Sequence, residues 1–216
     1  MRRKLNRRLL ILSGILVTIL IAVSLVIAVF FPELLLARTK MQSEATAELF
    51  AMDTYITMTA YGRDAETALS KAEDKLTELE HLWSVTDTGS DIYAVNHADA
   101  QPVSVSKETA SLLSFALQMA EETDGALEPT IYLVLTAWGF TTEENRVPSD
   151  DEITAILENV GYERVRLEGN TVQLDSGMML DMGAVGKGYA GDLLAEILRE
   201  NGVTSALLDI AFTWVG

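Results

Sequence analysis

The sequence predicts an α+β domain carried behind one transmembrane helix. Three observations lead there. Helical and strand patterns mix along the chain without a strict βαβ repeat. An uncharged run of 23 residues, Leu9 to Phe31, follows a basic cluster. A stretch from Leu180 to Ala190 (LDMGAVGKGYA) joins a buried apolar run to a helix through an aspartate, three glycines and a lysine.

The N-terminal part divides simply. Residues 1–8 form a basic cytoplasmic start, with Arg2, Arg3, Lys4, Arg7 and Arg8. Residues 9–31 are long enough to cross a bilayer, since about 20 apolar residues suffice. The basic cluster places the N-terminus inside and the rest of the chain outside the cytoplasm. A cleaved signal peptide is the competing reading, but its apolar core is about 7–15 residues, which favours an uncleaved anchor. Residues 32–47 read as a linker, and 48–216 as the domain. The chain has no cysteine, which excludes disulfides, thiolate metal sites and a lipid-modified cysteine. Residues 41–216 hold 31 acids and nine bases. So acidic a domain repels nucleic acid. Plain solubility explains most of that charge.

Glu48 to Tyr61 (ELFAMDTYITMTAY) is rich in β-branched and aromatic residues and reads as one strand, ended by Gly62. Asp64 opens a helix to about Trp83. Ala65, Ala68, Leu69, Ala72, Leu76, Leu79 and Leu82 form its core-facing stripe. A polar loop to Ser90, a short turn from Asp91 to Asn96 and a brief strand from Pro102 to Val105 follow. Ser106 starts a second helix to about Thr123, with Leu112, Leu113, Phe115, Ala116 and Met119 inward. Asp124-Gly125 closes it. Pro129 suits the first turn of the next helix, and Trp138 and Phe140 are expected in the core. Ser149 with Glu152 makes a capping box for a helix to about Asn159. Val165 to Asp175 reads as a hairpin turning at Gly169-Asn170. Met178 to Leu180 reads as a short buried strand, Tyr189 to Glu200 as a helix, and Val203 to Ile210 as the last strand.

The central stretch carries the chemistry. It places a carboxylate and an ammonium on a strand-to-helix turn whose glycines let a ligand reach the backbone. That layout suits a phosphate-bearing ligand and a metal ion. It equally describes a helix-capping turn with a surface lysine. It is not a P-loop, because neither Ser nor Thr follows Lys187. His81 and His97 belong to no motif.

Five motifs in order carry a resemblance: Met52-Asp53-Thr54; Ser84-Val85-Thr86 with Ser90-Asp91-Ile92 and Asn96; Asp124 to Thr130 (DGALEPT); Trp138-Gly139-Phe140; and Leu180 to Ala190. With these the chain resembles the ApbE family of FAD:protein FMN transferases from about Phe50 to Asp209. The resemblance implies an ApbE-like mixed sheet with helices. It implies FAD as substrate, Mg²⁺, and transfer of FMN to a threonine or serine hydroxyl of a target flavoprotein, with AMP leaving. The implied targets are subunits of membrane redox complexes. The alternatives are a flavin-binding protein without transfer and an inactive fragment.

By that resemblance Met52 contacts flavin. Thr86 stands where members often have an aromatic residue. Ala126, Leu127 and Glu128 run beside FAD, with Glu128 replacing the usual aspartate. Asp181 and Lys187 are the FAD-binding acid and base. Ala184 offers a backbone carbonyl to the metal. No catalytic residue is assigned. The chain departs from the family after Asp209, where a Gly-Gly-Asn turn is expected and Ile210 to Gly216 stands instead. About a hundred further residues, including an aspartate and a threonine that bind metal, belong to the family pattern beyond this point. The expectation is therefore a truncated domain with an exposed edge strand near Val203 to Val215 and little or no activity.

Overall fold

The computed structural model describes residues 17–22, 24, 29, 43–141 and 145–212, with the side chains of residues 211 and 212 excepted. The expected anchor, Leu9 to Phe31, lies largely outside the described residues. Those of it that are described, 17–22, 24 and 29, are helical and exposed. Among the described residues no helix is long and apolar enough to cross a membrane.

The main sheet has strands β1 (Glu44–Ala51), β2 (Thr54–Gly62) and β6 (Val203–Phe212), in the order β1-β2-β6 and antiparallel throughout. This corrects two expectations. The first strand starts at Glu44, inside the expected 32–47 linker, and the single strand expected from Glu48 to Tyr61 is a hairpin. Ala51 pairs with Thr54, leaving Met52 and Asp53 as the two-residue turn. The inward side chains of β2 are Ile56, Met58 and Ala60, all fully buried, while Glu44, Thr46 and Glu48 of β1 face water. Gly62 is required where β2 meets the start of β6. A Cβ there would stand 2.6 Å from the Gly202 carbonyl oxygen.

Two helices cover the inner face of the sheet. In α1 (Ala65–Trp83) the predicted stripe is buried from Ala65 to Leu79, but Trp83, not Leu82, is the last buried residue. Asp64 precedes the helix without a side-chain capping bond. The long helix after the central stretch, Gly183–Glu200, buries Val185, Gly186, Ala190, Leu194 and Leu198. Small residues on both helices let the axes approach, and each buried leucine contributes about 1.5–3 kcal/mol.

A second, smaller sheet has β3 (Val103–Ser104), β4 (Arg166–Glu168) and β5 (Thr171–Gln173), in the order β3-β5-β4, with Gly169-Asn170 turning the hairpin as predicted. Helix α2 (Asp91–Asn96) is capped by Ser90, whose Oγ accepts the Tyr93 N–H. Helix α3 (Lys107–Glu122) is capped in the same way by Ser106. It buries Leu112, Leu113 and Ala116, but Phe115 is 37% exposed. Helix α4 (Tyr132–Trp138) starts three residues after Pro129, which lies in the preceding turn. Helix α5 (Asp150–Leu157) has Ser149 as its cap. Its capping box is one-sided, because the Glu152 carboxylate pairs with Arg146. The helix from Gly183 is α6. The expected strand Met178–Leu180 joins no ladder and makes only a single parallel bridge, Met179 to Ile131. Antiparallel sheets with helices packed against the main one make the α+β class.

Candidate functional site

The central stretch is held by an asparagine 84 residues earlier. The Asn96 side chain donates to the Leu180 carbonyl at 2.9 Å and accepts the Leu180 N–H at 2.7 Å. The next residue, Asp181, donates its N–H to the Pro129 carbonyl at 2.8 Å. Asp181 Oδ1 then accepts the Gly183 N–H at 2.8 Å. Helix α6 begins at Gly183, six residues before the predicted start at Tyr189. Lys187 therefore stands one turn inside a helix and not on a loop. Glycine costs a helix about 0.8–1.0 kcal/mol relative to alanine, so three glycines here read locally as a loop. Packing overrides that preference, since Val185 and Gly186 are buried against the core.

A cleft of about 550 Å³ opens over the start of α6, within the usual range for small-molecule sites. Its walls come from distant parts of the chain. Met52 and Asp53 of the hairpin turn form one side. Glu80 and Trp83 of α1, continuing through Ser84, Val85 and Thr86, line a second part. Met182, Gly183, Gly186 and Lys187 form the third, and Phe140 and Thr141 stand at the remaining edge. The loop after α1 is internally tied. Ser84 Oγ accepts the N–H groups of Thr86 and Asp87, at 3.2 and 3.0 Å. Asp87 accepts the Gly89 N–H at 2.8 Å and lies 2.7 Å from His81 Nδ1, and these two partners hold its carboxyl below the usual range.

Charge in the cleft is unevenly placed. Burial pushes the Asp181 carboxyl above its ordinary value, and the Gly183 amide and Lys187 only partly pull it back. Lys187 lines the cleft at the positive end of an 18-residue helix. An anion entering there meets an ammonium and the helix N-terminus together.

The predicted site residues divide. Met52, Thr86 and Lys187 line the cleft, and Asp181 is bonded to the lining residue Gly183. Ala126, Leu127 and Glu128 do not line it. The Glu128 carboxylate is committed to the local fold: one oxygen accepts both the N–H and the hydroxyl of Thr130, at 2.8 and 2.6 Å, and the other accepts the Tyr162 N–H at 3.1 Å. The 126–130 segment reaches the site through the Pro129 carbonyl. Ala184 is exposed and outside the cleft lining.

Sequence reasoning missed Asp53, Glu80, Trp83 and Phe140. Phe140 is 72% exposed and Trp138 39% exposed, against the expectation that both are core. The Phe140 N–H is bonded to the Leu135 carbonyl around a left-handed Gly139, the helix-closing arrangement in which such a residue usually packs back on the helix. The signal was the glycine between two aromatics. His97 stacks on Tyr93 with ring centroids 3.8 Å apart and has a structural role.

Comparisons with known proteins bear on the family and the fold. The ApbE family profile matches residues 52–212. An FAD:protein FMN transferase of Treponema pallidum is 30% identical over 156 residues, covering 68% of this chain and 43% of the relative. One from Vibrio cholerae is 28% identical over 151 residues, covering 68% and 45%. The chain spans about half the length of the curated relatives it matches. The crystal structure of the ApbE protein from Thermotoga maritima superposes with a TM-score of 0.72 at 30% identity, covering 77% of this chain and 57% of that one. The Pseudomonas stutzeri flavinyl transferase ApbE shares the fold, with a TM-score of 0.73 at 24% identity. A profile that starts at the Met52 turn, runs through the cleft and ends in β6, together with the shared fold, means that the chain belongs to the ApbE family.

Proposed function

We propose that this chain carries the dinucleotide-binding part of an FAD:protein FMN transferase. FAD lies in the cleft with its pyrophosphate at Lys187 and the start of α6. The observation that carries the reading is that ammonium and helix end, opening onto a cleft of about 550 Å³ with Asp181 anchored at the first helical amide. In the proposed reaction a threonine or serine hydroxyl oxygen of the target attacks the FMN phosphorus. The bond from that phosphorus to the bridging oxygen breaks, AMP leaves with that oxygen, and the hydroxyl proton passes to a base. Lys187 orients and neutralises the pyrophosphate, and the cleft walls hold the flavin.

Mg²⁺, when bound, supplies further charge neutralisation. The described residues do not fit it by themselves. Ala184 offers only a carbonyl, and no group of three or more His, Asp or Glu among the described residues is arranged around a metal. Mg²⁺ holds its waters unless carboxylates or phosphates replace them, so no step here is assigned to it.

The proposed partner is a flavoprotein with a Thr or Ser acceptor, in a membrane redox complex. The proposed location is the cell membrane, with the N-terminus cytoplasmic and the domain outside, on the strength of the basic cluster and the uncharged run. The test incubates the full chain with FAD, Mg²⁺ and an acceptor flavin domain. Bound FAD is expected, with little or no fluorescent flavin on the acceptor because the described residues do not complete a Mg²⁺ site, and with the chain in the carbonate-washed membrane fraction. Fluorescent flavin on the acceptor with released AMP would overturn the expectation of little or no activity, and absence of FAD binding would remove the flavin reading.

Phe140 offers an exposed ring at the cleft edge. Phe140→Ala is expected to weaken FAD binding about tenfold, the scale of one lost stacking contact, while Phe140→Tyr retains it. Equal affinity for all three proteins in fluorescence titration would discard this role.

A further inference from the structure

We propose that Glu80 is a positioning residue that presets the Met52–Asp53 turn so that Met52 faces the ligand in the cleft. The proposal rests on the flavin reading above.

The turn is an unusual one for its residues. Met52 and Asp53 are both left-handed, with φ of 51° and 57°. Two-residue hairpin turns of this hand favour Asn-Gly, Asp-Gly or Gly-Gly. Aspartate tolerates the conformation, but methionine has neither a short polar side chain nor glycine's freedom. A compensating interaction is needed, and the structure holds one. The Met52 N–H donates to Glu80 Oε1 at 2.8 Å. A carboxylate acceptor makes this a strong type of hydrogen bond. Glu80 belongs to the last turn of α1, three residues before Trp83, and all three residues line the cleft. The bond therefore ties the hairpin tip to the end of α1.

The charge argues the same way. A carboxylate on the lining of a cleft that receives phosphates opposes the ligand. Its place is explained by what it does for the turn. The Met52 side chain also packs partly against the core, so a small rotation of the turn moves it out of register with the cleft.

The test uses the full detergent-solubilised chain and compares wild type with Glu80→Ala, Glu80→Gln, Asp53→Gly and the double variant Glu80→Ala/Asp53→Gly. FAD and ADP affinities are measured by titration, and deuterium uptake of the 50–54 segment by mass spectrometry. Glu80→Ala is expected to weaken FAD binding about tenfold, or roughly 1.4 kcal/mol. ADP binding stays within about twofold, because the phosphate grip is untouched. Glu80→Gln keeps an acceptor and binds nearly as wild type. Asp53→Gly restores most of the loss in the Glu80→Ala background, because glycine enters the left-handed region freely. Uptake at 50–54 rises in Glu80→Ala and returns toward wild type in the double variant. Wild-type FAD affinity in Glu80→Ala, equal loss in Glu80→Gln, or no rescue by Asp53→Gly overturns the proposal while leaving the flavin reading intact. A wild-type chain that binds no FAD removes the flavin reading and this role with it.

Discussion

Replacing Asn96 with alanine is expected to destabilise the fold by about 2–5 kcal/mol, a large share of the roughly 5–15 kcal/mol that holds a domain together. Asn96 is buried and satisfies both backbone groups of Leu180, which is itself fully buried. Alanine leaves a donor and an acceptor without partners away from water, at a cost of about 1–3 kcal/mol each. Asn96→Asp is no remedy. It retains an acceptor for the Leu180 N–H but turns a carboxylate oxygen toward the Leu180 carbonyl. Urea titration followed by tryptophan fluorescence measures both variants, with the midpoint falling and the slope unchanged. A midpoint equal to wild type for Asn96→Ala would show that the bridge is dispensable. The site should suffer as well, because Leu180 sets the position of Asp181.

Lys187→Ala is expected to weaken FAD and ADP binding alike, by about 10- to 100-fold, the worth of one charge-assisted bond to phosphate. Equal loss for the two ligands places the effect at the pyrophosphate. Loss for FAD alone would place Lys187 elsewhere. Asp181 separates binding from stability. Burial raises its carboxyl, so the folded chain holds that proton more tightly than the unfolded chain. The stability this contributes is complete below the ordinary carboxylate range near 4 and is lost as pH rises through the raised folded value. Asp181→Asn keeps an oxygen for the Gly183 N–H and removes the charge. It is expected to melt above wild type at neutral pH, with the gap closing below about pH 4, while FAD binding falls. Melting curves across that range check the sign. A gap that widens on acidification contradicts it.

The local rules of the chain determined much of this protein. The stripe of α1 from Ala65 to Leu79, the serine caps of α3 and α5 and the Gly169-Asn170 hairpin are written in residues within a few positions of one another, and each formed where expected. Motifs in order singled out Met52, Asp181 and Lys187, and the fold brings Met52 and Lys187 to one cleft with Asp181 bonded to its lining residue Gly183. What lay beyond local rules is what long-range contacts decide. No turn-forming pair marks Met52-Asp53, because the acceptor that holds the turn is Glu80, 28 residues away. The glycines of α6 read as a loop, because the burial that makes them helical comes from other elements. No local pattern shows that the amides of Thr130 and Tyr162 hold the Glu128 carboxylate. Phe140 looked like core, yet the end of α4 sets its ring in the cleft mouth. Periodicity reports which face of an element is apolar. Only the assembled fold decides which polar group finds which partner, because that choice depends on distances across the chain that no local pattern encodes.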